Sequence, residues 1–178
     1  IPETKKEIPD LLSELNLFSF SNGQIEYSPG IIPYELTIPF FSDYAVKKRA
    51  IYIPQGSTAT WQGTWTLDFP PGTILIKNFL YPEDMREPDK DVRIIETRLI
   101  RKDDDGKWKA YPYKWNEEMT DATLHVQGDV QEISFVDTTG ETQTATYLIP
   151  QRNQCLECHE IKNDEGERML SLIGPRPM

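Results

Sequence analysis

Val92-Arg-Ile-Ile-Glu-Thr-Arg-Leu-Ile-Arg101, then Lys102-Asp-Asp-Asp105-Gly106, then Lys107-Trp-Lys-Ala-Tyr-Pro-Tyr-Lys-Trp115: this stretch decides the fold. Both flanks are crowded with β-branched and aromatic residues, which favour strands. Between them Asp105 and Gly106 both tolerate the positive φ that a tight hairpin needs. The stretch therefore predicts two antiparallel strands, 92–101 and 107–115.

The same texture extends in both directions. Residues 35–40, 49–54, 61–69 and 73–81 precede the hairpin, and 122–126, 133–137 and 144–149 follow it. Turn signals separate these runs at Pro54-Gln-Gly56, Pro70-Pro-Gly72, Gly128-Asp129 and Thr139-Gly140. Many short strands without intervening helices predict a mainly β chain, an antiparallel sandwich-like domain. Ahead of them, residues 5–18 predict a short N-terminal helix. Pro9 suits its first turn, and Leu11, Leu12, Leu15 and Phe18 recur at helical spacing. Pro150 closes the last strand, and the chain then turns polar. The expected organisation is a β-domain over residues 1–150 with a distinct segment, 151–178, packed on it.

With 178 residues the chain suits one such domain plus a short appendage. Its 19 Lys and Arg against 29 Asp and Glu give a net charge of -10. Such a surface repels nucleic-acid phosphates and anionic lipid, and favours basic partners, cations or a mineral surface. No apolar run approaches the ~20 residues of a membrane-spanning helix. The two cysteines stand only three positions apart, so they cannot staple a domain of this size and read as a site.

That site is Cys155-Leu156-Glu157-Cys158-His159. Two thiols on one turn can reach the two vinyl groups of a haem and form thioethers, and the adjacent imidazole then serves as proximal iron ligand. The expected cofactor is one covalently attached haem c, held by Cys155 and Cys158 and ligated by His159. Such attachment is made after export, which predicts a periplasmic or extracellular location, including the cell surface. Three other readings compete. A redox-active CxxC belongs to a βαβ unit, which this chain lacks. A zinc site would draw on Cys155, Cys158, His159 and His125, although adjacent Cys158 and His159 aim poorly at one tetrahedral ion. A disulfide closing so small a loop would stabilise little.

The chain also resembles a family of uncharacterised exported bacterial proteins in which a β-rich region ends in a C-terminal CxxCH haem-c attachment motif, in the manner of c-type cytochromes. The resemblance is carried by Pro33-Tyr-Glu-Leu36, Phe41-Ser-Asp-Tyr-Ala45 with Lys47 and Arg49, and Phe69-Pro-Pro-Gly-Thr73. It continues through Glu96-Thr-Arg-Leu99, Trp108, Tyr113-Lys-Trp-Asn116, Thr120-Asp-Ala122 and Tyr147 to His159. It implies a haem-c protein acting in electron transfer and supplies no substrate. Met119 stands where the family pattern has Gln, and His125 where it has an aliphatic residue.

Other residues have ordinary and functional readings side by side. Asp43 with Arg49, and Glu96 with Arg98, suit buried ion pairs. Trp61, Trp65, Trp108 and Trp115 suit packing, with one or two free to line a haem. Asp103-Asp-Asp105 suits a solvated hairpin tip ahead of a calcium site. For the sixth iron ligand the order of preference is His125, then Met178 and Met169. His125 is placed on a strand whose other face carries Ala122, Leu124 and Val126, and it would come from the same or a neighbouring chain.

The functional expectation is a monohaem electron carrier without catalytic residues. Its partners would be a redox protein, other haems or a mineral acceptor, and its copies would self-associate, a non-closing contact giving a filament. A peroxidase-type haem enzyme is the first alternative. A zinc-containing polysaccharide-binding module is the second.

Overall fold

The hairpin predicted from residues 92–115 is the centre of the computed structural model, which describes residues 7–38, 40–61, 63, 67–162, 166–172 and 174. In chain order the strands are β1 Phe18–Ser21, β2 Gln24–Tyr27, β3 Ile31–Tyr34, β4 Val46–Tyr52, β5 Ile74–Pro82, β6 Val92–Lys102 and β7 Trp108–Trp115. They continue as β8 Ala122–Leu124, β9 Asp129–Val136, β10 Thr142–Ile149, β11 Glu160–Lys162 and β12 Arg168–Leu170. Strands β3 to β8 pair in chain order as a six-stranded antiparallel sheet, and β1–β2, β9–β10 and β11–β12 form antiparallel hairpins. The protein is mainly β.

The central turn differs from the expected one. Gly106 N–H donates to Asp103 O (2.9 Å) and Asp103 N–H to Lys107 O (2.9 Å), so three residues intervene. Only Gly106 is left-handed, at φ 75°. The Asp137–Gly140 turn between β9 and β10 repeats this pairing, with Gly140 at φ 90°. Asp103 pairs with Arg101 and Lys109, and Asp105 with Lys109, so this tip is an ion-paired turn.

The two sheet faces are covered differently. On the first, Ala50, Ile76, Leu99 and Tyr111 stand side by side across β4 to β7. They share a core with Leu12, Leu15 and Leu17 and with the β1–β2 residues Phe18, Phe20, Ile25 and Tyr27. On the second, Phe79 and Tyr81 pack under Ile133, Phe135, Tyr147 and Ile149 of the β9–β10 hairpin. Ile51 and Leu75, also on this face, pack with Phe69 and Leu172. Burying such side chains contributes about 1.5–3 kcal/mol each.

The N-terminal helix is replaced by a four-residue 3-10 turn, Leu12–Leu15, ended by Asn16 at φ 48°. Its apolar stripe serves two purposes instead. Leu12 and Leu15 face the core at the three-residue repeat of that turn, whereas Phe18 already belongs to β1. Tyr113 donates to Pro9 O (2.7 Å) and Leu124 N–H to Asp10 O (2.8 Å), so tertiary bonds use these carbonyls. Residues 35–38 and 40 are loop rather than strand. Of 61–69, the described part contributes to a single bridge, Thr60 with Asp68. Trp115 is buried against Phe18 and Phe20, Trp108 packs on Phe69, and Trp61 is exposed. Trp65 lies outside the described residues.

Candidate functional site

Downstream of β10 the chain passes along β7. Arg152 N–H donates to Val126 O (3.1 Å), and its guanidinium lies 4.6 Å from the Tyr111 ring centre. Gln151 N–H donates to Gln154 Oε1 (2.8 Å), capping a short 3-10 turn, Arg152–Gln154. One turn of α-helix follows, α1 Cys155–Cys158, and His159 N–H closes it on Cys155 O (3.1 Å). Residues three apart on a helix share one side, which brings the two thiols to the same flank of the turn. Both are free, Cys155 half-buried and Cys158 exposed.

His159 is oriented from twelve residues downstream. The β11–β12 hairpin folds back, with Arg168 bonded to Glu160, until Ser171 N–H meets His159 O at 2.6 Å. The Ser171 carbonyl then stands 3.0 Å from His159 Nδ1. A carbonyl only accepts, so Nδ1 carries the proton and Nε2 keeps its lone pair. Leu172, buried with Ile51, Phe69 and Leu75, pins this return strand to the sheet. Burial pushes the imidazole pKa down, opposed by the Ser171 bond and reinforced by Lys77 and Arg98. Burial likewise pushes the Cys155 thiol up, with Arg98 drawing it down and Glu96 raising it.

The floor beneath this turn is polar. Glu96, fully buried on β6, accepts from Arg98 Nε (2.5 Å), Arg98 Nη2 (2.8 Å) and the Tyr147 hydroxyl (2.6 Å). The Glu96–Arg98 pair read from the sequence is present. Arg49 makes no ion pair with Asp43 among the described residues. It lies instead beside Lys77, which lies beside Arg98, on adjacent strands. That row was not anticipated. Its sequence signal is Lys77, the lone charge in the otherwise uncharged β5.

The donor set fits haem c: two free thiols on one turn, and an imidazole with Nδ1 engaged and Nε2 open. Among the described residues no three His, Cys, Asp or Glu side chains gather where one metal ion could be held. A zinc centre built from Cys155, Cys158, His159 and His125 has no counterpart in this arrangement. His125 lies one residue beyond the end of β8 rather than on it, and Val126 is largely exposed. Its Nε2–H donates to Gly128 O (3.1 Å) within its own turn. Met169 stands opposite Ile161 and lines a cleft of about 960 Å³ with Trp108, Arg152 and Ser171. The cysteines and His159 are not among that cleft's walls. Met178 lies outside the described residues.

Compared with protein-family models, with curated proteins and with solved structures, the chain matches none. No helix among the described residues is long and apolar enough to cross a membrane.

Proposed function

We propose that this protein is an exported monohaem c-type cytochrome that transfers single electrons. The observation that carries the reading is the 3.0 Å approach of Ser171 O to His159 Nδ1 beside two free thiols on one turn. A backbone bond at Nδ1 selects the tautomer whose Nε2 can ligate a metal and holds the ring plane fixed. Cys155 and Cys158 would hold the group by thioethers, and His159 would ligate its iron. The haem, when bound, supplies a one-electron iron couple. Electron transfer is favoured over peroxidase chemistry because Glu96, the carboxylate beneath the turn, is already held by Arg98 and Tyr147.

Of the possible sixth ligands, His125 stays ahead of Met169, from the same chain or a neighbour. Releasing it breaks one neutral hydrogen bond, about 1 kcal/mol net. Its partners would be a redox protein, other haems or a mineral acceptor, and copies would associate to bring haems within transfer range, as concentration-dependent light scattering would reveal.

The deciding experiment is production in a host with haem-c maturation machinery. Haem that survives acid–acetone extraction, with a mass one haem above the polypeptide, supports the reading. Cys155→Ala or Cys158→Ala should weaken attachment, and the double substitution should abolish it. Colourless wild-type protein overturns it.

A further inference from the structure

Arg49 of β4, Lys77 of β5 and Arg98 of β6 are direct cross-strand neighbours, so three cations stand in one row across the second sheet face. Lys47 and Glu96 flank them one row along, either side of Phe79. Asp43 acts on Lys47 and Glu35 lines the cleft beside Arg49, while Glu96 is already held by Arg98 and Tyr147. Arg49 is only 6% exposed and has no ion pair or hydrogen bond to a described residue. Burial, then Arg98, Arg49 and Lys47 in that order, press the Lys77 pKa down to about 8. Like charges held together away from water are unfavourable unless an anion joins them.

The row adjoins the attachment turn: Leu172 packs on Ile51 and Leu75, the next residues on the same face after Arg49 and Lys77, and Ser171 beside it bonds His159. It also opens into a cleft of about 520 Å³ lined by Arg49, Lys47, Glu35, Phe40, Phe41 and Tyr44. Phe40, Phe41 and Tyr44 are 70%, 71% and 58% exposed, on a loop that is firmly held. Lys47 Nζ donates to Phe40 O (2.5 Å), the Tyr81 hydroxyl donates to Asp43 O, and Phe41 packs edge-on to Tyr44 at 5.1 Å. Asp43 and Tyr44 both take positive φ, 45° and 65°, an unfavourable conformation for residues with a Cβ. A partly buried cation row edged by an aromatic wall suits a ligand with broad apolar faces and a carboxylate edge.

We infer that Arg49 and Lys77, with Arg98 beside them, receive the propionate carboxylates of the haem anchored at Cys155 and Cys158, and that Phe40, Phe41 and Tyr44 wall its apolar edge. The inference rests on the haem reading above. A free inorganic anion would use the cations and leave the aromatic wall without purpose, which favours the haem.

The test compares Arg49→Gln and Lys77→Gln in two backgrounds, the haem-loaded protein and the haem-free Cys155→Ala/Cys158→Ala protein. A cation near the iron disfavours the ferric state, so in the loaded protein each substitution should lower the reduction potential. Lys90→Gln, in an exposed turn, should leave it unchanged, and Arg49→Lys should keep most of the wild-type value. In the haem-free protein the same two substitutions should hold or raise Tm by relieving repulsion, whereas in the loaded protein they should lower it. A merely structural role moves Tm the same way in both, and that result, or an unshifted potential, overturns the inference while leaving the haem reading standing. Stabilisation of the haem-free protein by inorganic phosphate, with no potential shift in the loaded variants, also overturns it. Should Arg49→Gln fail to fold, Lys77→Gln carries the same readouts. Colourless wild-type protein removes both proposals together.

Discussion

Tyr147 on β10 reaches across the interface between hairpin and sheet to donate a 2.6 Å hydrogen bond to Glu96, 51 residues earlier in the chain. The carboxylate is fully buried, and Arg98 grips both of its oxygens. Tyr147→Phe removes one donor and is expected to cost about 1–2 kcal/mol. Glu96→Ala leaves Arg98 beside Lys77 with no counter-charge and is expected to cost about 3–5 kcal/mol. Urea unfolding of the two variants and the double variant measures both costs. The double variant should be less destabilised than the sum, because the two share one interaction.

Gly128 permits the turn that joins β8 to β9 and the crossing chain above it. Its φ is 77°, and a Cβ there would come within 2.9 Å of both Gln151 N and Ile149 O. Gly128→Ala is therefore expected to lose at least 2 kcal/mol, roughly the sum of the left-handed penalty and a backbone shift. Amide exchange should quicken at Gln151 and Arg152 before it does in β5 or β6.

Alkaline pH should unfold the protein abruptly. Burial, the leading cause in each, raises the pKa of Tyr81, Tyr113 and Tyr147 well above the ordinary 10. The unfolded chain loses these protons at about pH 10 while the folded one retains them, so the stabilisation is complete below that pH and lost above it. Each such group contributes up to about 1.4 kcal/mol per pH unit. Phenolate absorbance should rise together with loss of β circular dichroism. A phenolate signal from all tyrosines well before unfolding would contradict the burial.

His125→Ala tests the sixth-ligand proposal. A bis-histidine optical and near-infrared signature that converts to high-spin iron supports His125. An unchanged spectrum with a methionine-to-iron charge-transfer band transfers the role to Met169 or Met178.

The hairpin of residues 92–115 was legible because its strand runs are long and its turn carries Gly106. The 3-10 turn at Leu12–Leu15 was not, since apolar residues at i, i+3 and i+4 read as a helix until one knows that Tyr113 and Leu124 claim the carbonyls of Pro9 and Asp10. β11 and β12 are three residues each, too short for any periodicity to appear. The CxxCH turn could be read directly. The carbonyl that aims His159 could not, because backbone atoms have no sequence signature and Ser171 is an unremarkable residue. Arg49, Lys77 and Arg98 lie far apart in the chain, and only strand register aligns them.

Leu172 is the one residue downstream of Ile149 whose side chain is buried, among the described residues. The sheet and both hairpins that cover it are complete before the cysteines are reached. A chain delivered from its N-terminus can thus fold its β-domain first and present Cys155 and Cys158 afterwards, on a segment held by Arg152 at one end and Leu172 at the other. The order of folding is written into the layout: scaffold first, the cysteine turn second, and closure of Ser171 over His159 last.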